Sequence, residues 1–462
     1  MDTPNPFSGQ SLAELGRALR SGATTSVDLT EAAVTRLDGV GRSLNAVVTL
    51  TRERALAEAR RADDELAAGI DRGPIHGIPY GAKDLLAAEG YPTTWGAPPL
   101  RDQVFPEDAA VVARLSEAGA VLCGKLATVE IAGGMGYDQP DAALTGPGRN
   151  AWDPEAWAGG SSSGSGAAVA ARLIPFAIGS ETWGSIHCPA AFNGVTGLRP
   201  TYGRVPRDGA MALSWSLDKI GPLATSAEDA RLVLAVIGDD GRLPLLPDHR
   251  TSGFRFGVLR SAVDGAEPSV AENARRAITA LGEIGTVEEI ALPDYPWSQI
   301  TMVVLWAEEA AAFEAFVDSG QVLELAAPED RIGMLHGMAM PAVDYLRAQR
   351  IRKRAAVEAG ALLSRFDVLV APSFPVVAPP LVGSLDAYFE PYPAETLSAM
   401  GNLLGLPSIS LPTGIGQRGL PTSIELLGRA WSEPAILAAA RAFQARTDWH
   451  TRTPPAAGRP TG

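Results

Sequence analysis

Short apolar segments bounded by glycine and proline set the strongest limit on how this chain can fold. Three of them read IHGIPYGAKDLL (residues 75–86), AVLCGKLA (residues 120–127) and LIPFAIGS (residues 173–180). Such segments are typical of strands buried in a sheet that is covered on both faces. Residues 253–370 continue with alternating strand and helix patterns, and residues 402–446 read strand, strand, helix. The sequence therefore predicts an α/β fold.

Both ends of the chain differ from this central pattern. Residues 11–69 show helical spacing of apolar residues, with a Thr-Ser pair as a cap before the second helical stretch. We expect residues 1–69 to form an all-helical segment packed on the core. Residues 70–450 are expected to form one α/β domain, since no internal repeat or long linker divides them. Residues 451–462, TRTPPAAGRPTG, are predicted to be a disordered tail.

Composition argues against several classes of protein. Of 462 residues, 46% are hydrophobic, which is enough to bury a large core. No apolar run reaches the roughly 18 residues of a membrane span and no signal peptide is recognisable, so we expect a cytoplasmic protein that binds no membrane. Cys123 and Cys188 cannot form a disulfide framework, and no Cys or His cluster offers a metal site. A net charge of -14 argues against a nucleic-acid surface, so we expect a small-molecule partner.

Lysine is rare in this chain. Among 39 basic residues only four are lysine, namely Lys83, Lys125, Lys219 and Lys353. Arginine does not release its proton in a protein, whereas a lysine buried away from water can become a neutral amine and act as a base. Each lysine is therefore a candidate catalytic base wherever its surroundings support that role.

Residues 159–192, GGSSSGSGAAVAARLIPFAIGSETWGSIHCPAAF, combine many hydroxyl groups with little charge. A phosphate-binding loop would need a lysine after its glycines, and none is present. The motif GxSxG is formally matched around Ser162, but no hydrophobic strand precedes it. The histidine that this motif needs would have to come from positions in polar or peripheral settings: His249, His336 or His450. A flexible linker would not run directly into an alanine-rich helix.

Serine hydrolysis without histidine fits the stretch better than these alternatives. In this chemistry one serine attacks a carbonyl group, a second serine passes the proton on, and a neutral lysine accepts it. Neighbouring glycines let the backbone approach closely, so that its N–H groups can face the developing oxyanion.

These segments resemble the amidase signature family. GGSSSGSGAAVAAR and GSETWGSIHCPAAFNGVTGLRPTYGRVPRDG match its signature region, GPIHGIPYGAKDLL matches the segment with its lysine, and the likeness covers most of the chain. The resemblance implies a large mixed β-sheet between helical layers and no cofactor. It also implies Lys83 as the base, Ser161 as the relay serine, often on a cis peptide bond, and Ser185 as the nucleophile. The implied oxyanion hole consists of the backbone amides of Thr182, Trp183, Gly184 and Ser185.

The chain departs from the family pattern at several positions. Ser163 replaces a glycine, and the residues 181–185, Glu-Thr-Trp-Gly-Ser, stand where the family has Asp-Thr-Gly-Gly-Ser. If position 183 required a positive φ, a tryptophan there would be strained. His187 replaces an arginine, and it could form a hydrogen bond within the protein, bind substrate, or simply pack. Three further residues are expected to be structural: Cys188, Lys125 and Lys219.

Substrate preference is predicted from Trp183 and from the loop GGMGYDQP, which holds Gly134 and Met135 and corresponds to a substrate-facing segment of the family. Trp183 and Met135 together predict an adaptable apolar wall, and Gly134 and His187 are further expected substrate contacts. We expect hydrolysis of anilides and other aryl amides, and also of carbamates (urethanes) and aryl esters, by a monomer or homodimer that binds no nucleic acid, metal or cofactor.

Two other functions remain as alternatives. The first is the glutamine-hydrolysing subunit of a tRNA-dependent amidotransferase, against which the altered residues Trp183 and His187 argue. The second is a binding protein with a decayed site, which the retained lysine and serines disfavour.

Overall fold

A mixed sheet forms the centre of the protein. The computed structural model describes residues 5–133, 142–238, 247–392 and 396–455. The strands of this part are β1 (Val47–Leu50), β2 (Pro79–Lys83), β3 (Val121–Leu126), β4 (Phe176–Glu181), β5 (Thr196–Arg199), β6 (Lys219–Ala224), β7 (Phe254–Leu259), β8 (Gly285–Ile290), β9 (Val368–Pro372), β10 (Ser408–Ile415) and β11 (Pro421–Leu427). Their order is β1-β3-β2-β4-β6-β5-β10-β11-β9-β7-β8. β2 is parallel to β3 and β4, β7 is parallel to β8 and β9, and the other pairs are antiparallel.

Helices form layers against this sheet, which confirms the predicted α/β fold. Those described are α1 (Leu12–Ser21), α2 (Ser26–Arg36), α3 (Arg52–Ala67), α4 (Ala110–Glu117), α5 (Ser163–Ala170), α6 (His187–Asn193), α7 (Ala227–Ile237), α8 (Arg260–Asp264), α9 (Pro268–Gly282), α10 (Trp297–Ala312), α11 (Glu314–Asp318), α12 (Pro328–Met338), α13 (Ala342–Leu363), α14 (Leu385–Phe389), α15 (Leu397–Leu403) and α16 (Glu433–Gln444). In the described ranges, none of them is long and apolar enough to cross a membrane.

The N-terminal segment is not all helical, which corrects the prediction. Thr25 caps α2 as expected, because its side chain accepts a hydrogen bond from the Asp28 amide. Between α2 and α3, however, β1 pairs antiparallel with β3 and forms one edge of the central sheet. Its residues, VVTL, are mostly β-branched and favour an extended backbone. The segment thus contributes a strand to the sheet as well as helices.

A second difference lies between β8 and β9. The sequence predicted alternating strands and helices over residues 253–370, and β7, α9 and β9 confirm this at both ends. Residues 297–363 instead contain four successive α-helices, α10 to α13. α10 packs against α12, α13 and α15. The alternating pattern therefore missed a helical layer, whose first helix lines the candidate site.

Close packing explains the glycine- and serine-rich stretch. All residues of α5 are buried, and they are Ser, Gly, Ala and Val only. A Cβ atom added at Gly164 would lie 2.2 Å from the carbonyl oxygen of Ala46 and 2.4 Å from the amide nitrogen of Ala127. Since real Cβ atoms do not approach other atoms so closely, small residues are required where this helix meets neighbouring backbone.

The strand arrangement also determines where the site lies. β2 and β4 are parallel neighbours, paired from Tyr80 with Phe176 to Ala82 with Ile178. Parallel strands end at the same edge of a sheet, so the residues at and after the ends of both strands come together there. β2 ends at Lys83, and the loop after β4 contains the signature residues that follow Glu181.

Candidate active site

Lys83 is fully buried at the end of β2 and contacts two serine hydroxyls. Its Nζ lies 2.6 Å from Oγ of Ser161 and 2.9 Å from Oγ of Ser180. Burial lowers the pKa of Lys83 from its ordinary 10.5 to about 7, although the negative charges of Asp218 and Glu181 oppose this shift. The amine can therefore accept a proton near neutral pH and return it, as a catalytic base must.

Ser161 lies just before α5 and follows a cis peptide bond, Gly160–Ser161. Its carbonyl oxygen accepts a hydrogen bond from the amide of Val129 at 3.0 Å. The next residue, Ser162, donates its backbone N–H to the carbonyl oxygen of Ser185 at 3.2 Å. The predicted relay serine and the predicted nucleophile thus lie on two segments that are hydrogen-bonded to each other.

Ser185 lies in the loop between β4 and α6, and the backbone angles of that loop show whether Trp183 has a positive φ. Gly184 has a φ of +88°, whereas Trp183 is not among the non-glycine residues with positive φ in the described ranges. The tryptophan is therefore accommodated without the backbone strain considered above. Among the described residues, no protein atom accepts a hydrogen bond from the backbone N–H groups of Trp183 and Gly184. These N–H groups can serve an oxyanion.

The side chain of Glu181 holds this loop in place, a role that was not predicted. Its Oε2 accepts the backbone amides of Ile186 at 2.8 Å and of His187 at 3.0 Å. Its Oε1 accepts hydrogen bonds from Arg199 at 2.7 Å and from the amide group of Asn402 at 3.0 Å. Burial alone would raise the pKa of Glu181, but His187 and Arg199 hold it well below its usual range. A buried carboxylate thus fixes the turn that carries Ser185.

His187 is also part of this network. It is buried, with Nδ1 3.0 Å from Oε2 of Glu181 and Nε2 2.8 Å from Oγ of Ser408. It does not line the cavity beside Ser185. The substrate-binding role expected for His187 therefore stays a prediction without geometric support, and its partners match the alternative of a hydrogen bond within the protein.

Beside Ser185 lies a cavity of about 470 Å³. Thr182, Trp183 and Gly184 line it together with Gly133. Its wall is largely apolar, and much of it comes from residues that were not predicted: Met302, Leu305 and Trp306 of α10, and Phe374 and Phe389. No charged side chain is found among its lining residues in the described part of the chain. The predicted substrate contacts Gly134 and Met135 lie outside the described residues.

The other candidates from the sequence lie in structural positions. Lys125 is buried and pairs with Asp84 at 3.0 Å. The amine of Lys219 contacts the carbonyl oxygens of Leu217 and Thr182. Burial raises the pKa of the Cys188 thiol, which disfavours the nucleophilic thiolate. Within the described ranges, no group of three or more His, Cys, Asp or Glu residues could hold a metal ion.

Comparison with known proteins identifies the family of this chain. The profile of the family described as Amidase matches residues 28–437. The chain belongs to the amidase family. It is 36% identical to one subunit of the glutamyl-tRNA(Gln) amidotransferase from Methylococcus capsulatus, over 96% of this chain and 98% of that protein. The protein of the same name from Chloroflexus aurantiacus is 35% identical over 95% of this chain and 96% of its own length. Among solved structures, peptide amidase from Stenotrophomonas maltophilia matches with a TM-score of 0.86 and 31% identity over 99% of both chains.

These comparisons change two predictions. The names of the sequence relatives support the alternative of a glutamine-hydrolysing subunit better than the broad-specificity amidase that we expected first. The prediction of a small-molecule partner with no nucleic acid is wrong, because the relatives are named as one subunit of an enzyme that acts with a tRNA. A net charge of -14 describes the average of the whole chain, so it could not exclude such an assembly.

Proposed function

We propose that this amidase-family enzyme hydrolyses a carboxamide C–N bond through an acyl-enzyme on Ser185. The observation that carries the proposal is the buried amine of Lys83, 2.6 Å from Oγ of Ser161 and with a pKa of about 7. A lysine with these properties is a base at neutral pH, and a hydroxyl beside it can pass on a proton.

The proton relay works in both directions. Ser185 Oγ attacks the carbonyl carbon and gives its proton to Ser161, which passes its own proton to Lys83. The amides of Trp183 and Gly184 stabilise the oxyanion that forms. When the C–N bond breaks, Ser161 protonates the departing nitrogen and regains a proton from Lys83. Water then attacks the acyl-enzyme by the same relay, which releases the acid and frees Ser185.

The cavity beside Ser185 favours apolar acyl groups. Its walls are aromatic and aliphatic side chains, and its volume is within the range of small-molecule sites. A charged acyl group would lose its hydration there without gaining a charged partner from the described lining residues. Anilides and other aryl amides are therefore the proposed substrates, with aryl esters and carbamates as related ones, because they pass through similar tetrahedral intermediates.

The second candidate is glutamine hydrolysis within an amidotransferase. It is favoured by the name that the sequence relatives share, which is that of one subunit of glutamyl-tRNA(Gln) amidotransferase. Glutamine carries an ammonium and a carboxylate that require charged or strongly polar partners when bound. Such partners would have to come from outside the described lining of the cavity, for example from another subunit.

A substrate panel tests these proposals. We would compare kcat/KM for a nitroanilide, a nitrophenyl ester, an aryl carbamate and glutamine, with the chain alone and with the other subunits of a relative's amidotransferase. The apolar cavity predicts the nitroanilide and ester to rank above glutamine in both cases. Glutamine ranking first would assign the second candidate instead. Ser185→Ala with native circular dichroism is the control, and activity that survives this change would contradict the acyl-enzyme.

Trp183→Gly separates two roles of the indole. If Trp183 shapes the cavity, this variant changes the ranking of acyl groups more than it lowers all rates. If it acts through the oxyanion loop instead, the rates with all substrates fall together.

A further inference from the structure

A second cavity adjoins the first beside Thr182 of the oxyanion loop. Its volume is about 320 Å³, and it shares Ala132, Thr182 and Leu213 with the cavity described above. Its remaining lining is more polar and includes Ser180, Arg207, Asp208, Trp215, Asp218 and Lys219. The two cavities therefore adjoin at the three shared residues but offer different surroundings.

The second cavity lies on the lysine side of the relay. Ser180, which lines this cavity, has its hydroxyl 2.9 Å from the amine of Lys83. In the proposed reaction the departing nitrogen takes its proton from the relay pair Ser161 and Lys83, so it must leave on their side. The acyl group lies in the apolar cavity, on the opposite side of the scissile bond.

Most charged groups of the second cavity already have partners. Arg207 donates to the carbonyl oxygen of Trp215 at 2.6 Å and to the hydroxyl of Tyr202 at 3.0 Å. Asp218 accepts the hydroxyl of Thr182 at 2.6 Å, and its second oxygen accepts two backbone amides. The carboxylate of Asp208, an exposed residue, has in contrast no hydrogen bond or ion pair within the described residues. Trp215 is 50% exposed.

We infer that this cavity binds the amine half of the substrate, with Trp215 and Asp208 selecting amines that carry an aromatic ring and a second, cationic group. The inference rests on the proposed acyl-enzyme chemistry and adds the leaving-group site to it. An aromatic ring can stack on the exposed indole, and an ammonium group can pair with the carboxylate. The volume of about 320 Å³ exceeds what ammonia alone requires, so the amine half of an N-substituted amide fits this cavity.

Reversal of acylation gives a direct test, because an amine that occupies this cavity can attack the acyl-enzyme. The amine nitrogen bonds to the acyl carbon, the bond from that carbon to Ser185 Oγ breaks, and the relay moves a proton from the amine to Ser185. A nitrophenyl ester supplies the acyl group, so the products are nitrophenol and a new amide. Water competes for the same intermediate and gives the acid.

The experiment measures the ratio of amide to acid formed from 4-nitrophenyl butyrate at pH 9. Two amines are compared, 1,4-bis(aminomethyl)benzene and 4-methylbenzylamine, which lacks the second ammonium group. We expect the ratio to saturate with amine concentration. Trp215→Ala should lower it about two- to tenfold for both amines. Asp208→Asn should lower it about two- to fivefold for the diamine only. Trp431→Ala is the matched control, since this exposed tryptophan lines neither cavity.

The possible results are distinguishable. A ratio that rises linearly with amine concentration and is the same in both variants would overturn the amine site while leaving the acyl-enzyme intact. If the ester does not acylate Ser185 at all, the proposed function fails, and this inference fails with it.

Discussion

Replacing Lys83 with methionine should stabilise the protein at pH 6 while it removes catalysis. The fully buried amine has a pKa of about 7 in the folded protein, against 10.5 ordinarily, and each unit of this difference in pKa corresponds to about 1.36 kcal/mol. Below pH 7 the charged amine therefore costs roughly 5 kcal/mol of folding free energy. The variant also loses the hydrogen bonds with Ser161 and Ser180, which reduces its gain in stability by about 1 kcal/mol for each bond.

The pH dependence of this effect follows from the direction of the shift. Between about pH 7 and 10.5 the unfolded chain holds the lysine proton and the folded protein does not, so the stability of the wild type rises with pH. From pH 6 to pH 9 this gain is about 3 kcal/mol, and Lys83→Met lacks it. The advantage of the variant should therefore shrink by that amount over this range.

Urea unfolding followed by tryptophan fluorescence measures the free energy of unfolding of each protein. The wild type and Lys83→Met would be compared at pH 6 and pH 9, with Lys353→Met as the control because that lysine is exposed. The control should show the same pH dependence as the wild type. A difference between wild type and Lys83→Met that does not change with pH would refute a neutral buried amine, as would a variant that is less stable at pH 6.

Three further predictions concern the site and its support. The kcat/KM for a nitroanilide should rise about tenfold per pH unit below pH 7 and level off above it, because the base must be neutral; a flat profile between pH 5 and 9 would contradict this. Glu181→Gln should lower the free energy of unfolding by about 3 kcal/mol, since buried Arg199 loses its 2.7 Å ion pair and keeps only Glu425 at 3.4 Å, while Glu288→Gln at an exposed pair should cost less than about 1 kcal/mol. Gly164→Ala should cost about 3 kcal/mol or more because its Cβ would overlap backbone atoms, whereas Gly282→Ala, with open space around it, should be tolerated; equal midpoints in thermal unfolding would contradict the packing argument.

Short contiguous motifs indicated the residues of the candidate site. The segments with Lys83, Ser161 and Ser185 were each recognisable, and the parallel strands β2 and β4 bring Lys83 and the loop with Ser185 to one edge of the sheet. The short apolar segments likewise predicted β2, β3, β4 and β9, since a buried strand needs few residues and little long-range information. Local sequence is informative where one strand or one loop carries the function.

The parts that could not be predicted depend on residues distant in sequence. The Glu181 carboxylate accepts hydrogen bonds from Arg199 and Asn402, and it contacts His187, which in turn contacts Ser408. No local sequence pattern shows that these residues come into contact. The apolar wall from α10 was missed for the same reason, although the length of that helix and its many good helix formers were a usable signal. The strain considered at Trp183 was avoided because its neighbour, Gly184, takes the positive φ.

Mass spectrometry during turnover tests the central claim most directly. The enzyme would be quenched in acid within the first turnovers of 4-nitrophenyl butyrate, digested, and searched for the added butyryl group. The account predicts this group on Ser185 in the wild type and its absence in Ser185→Ala. A butyryl group on Ser161, Ser162 or Cys188 in the wild type, or turnover without any acylated peptide, would contradict it.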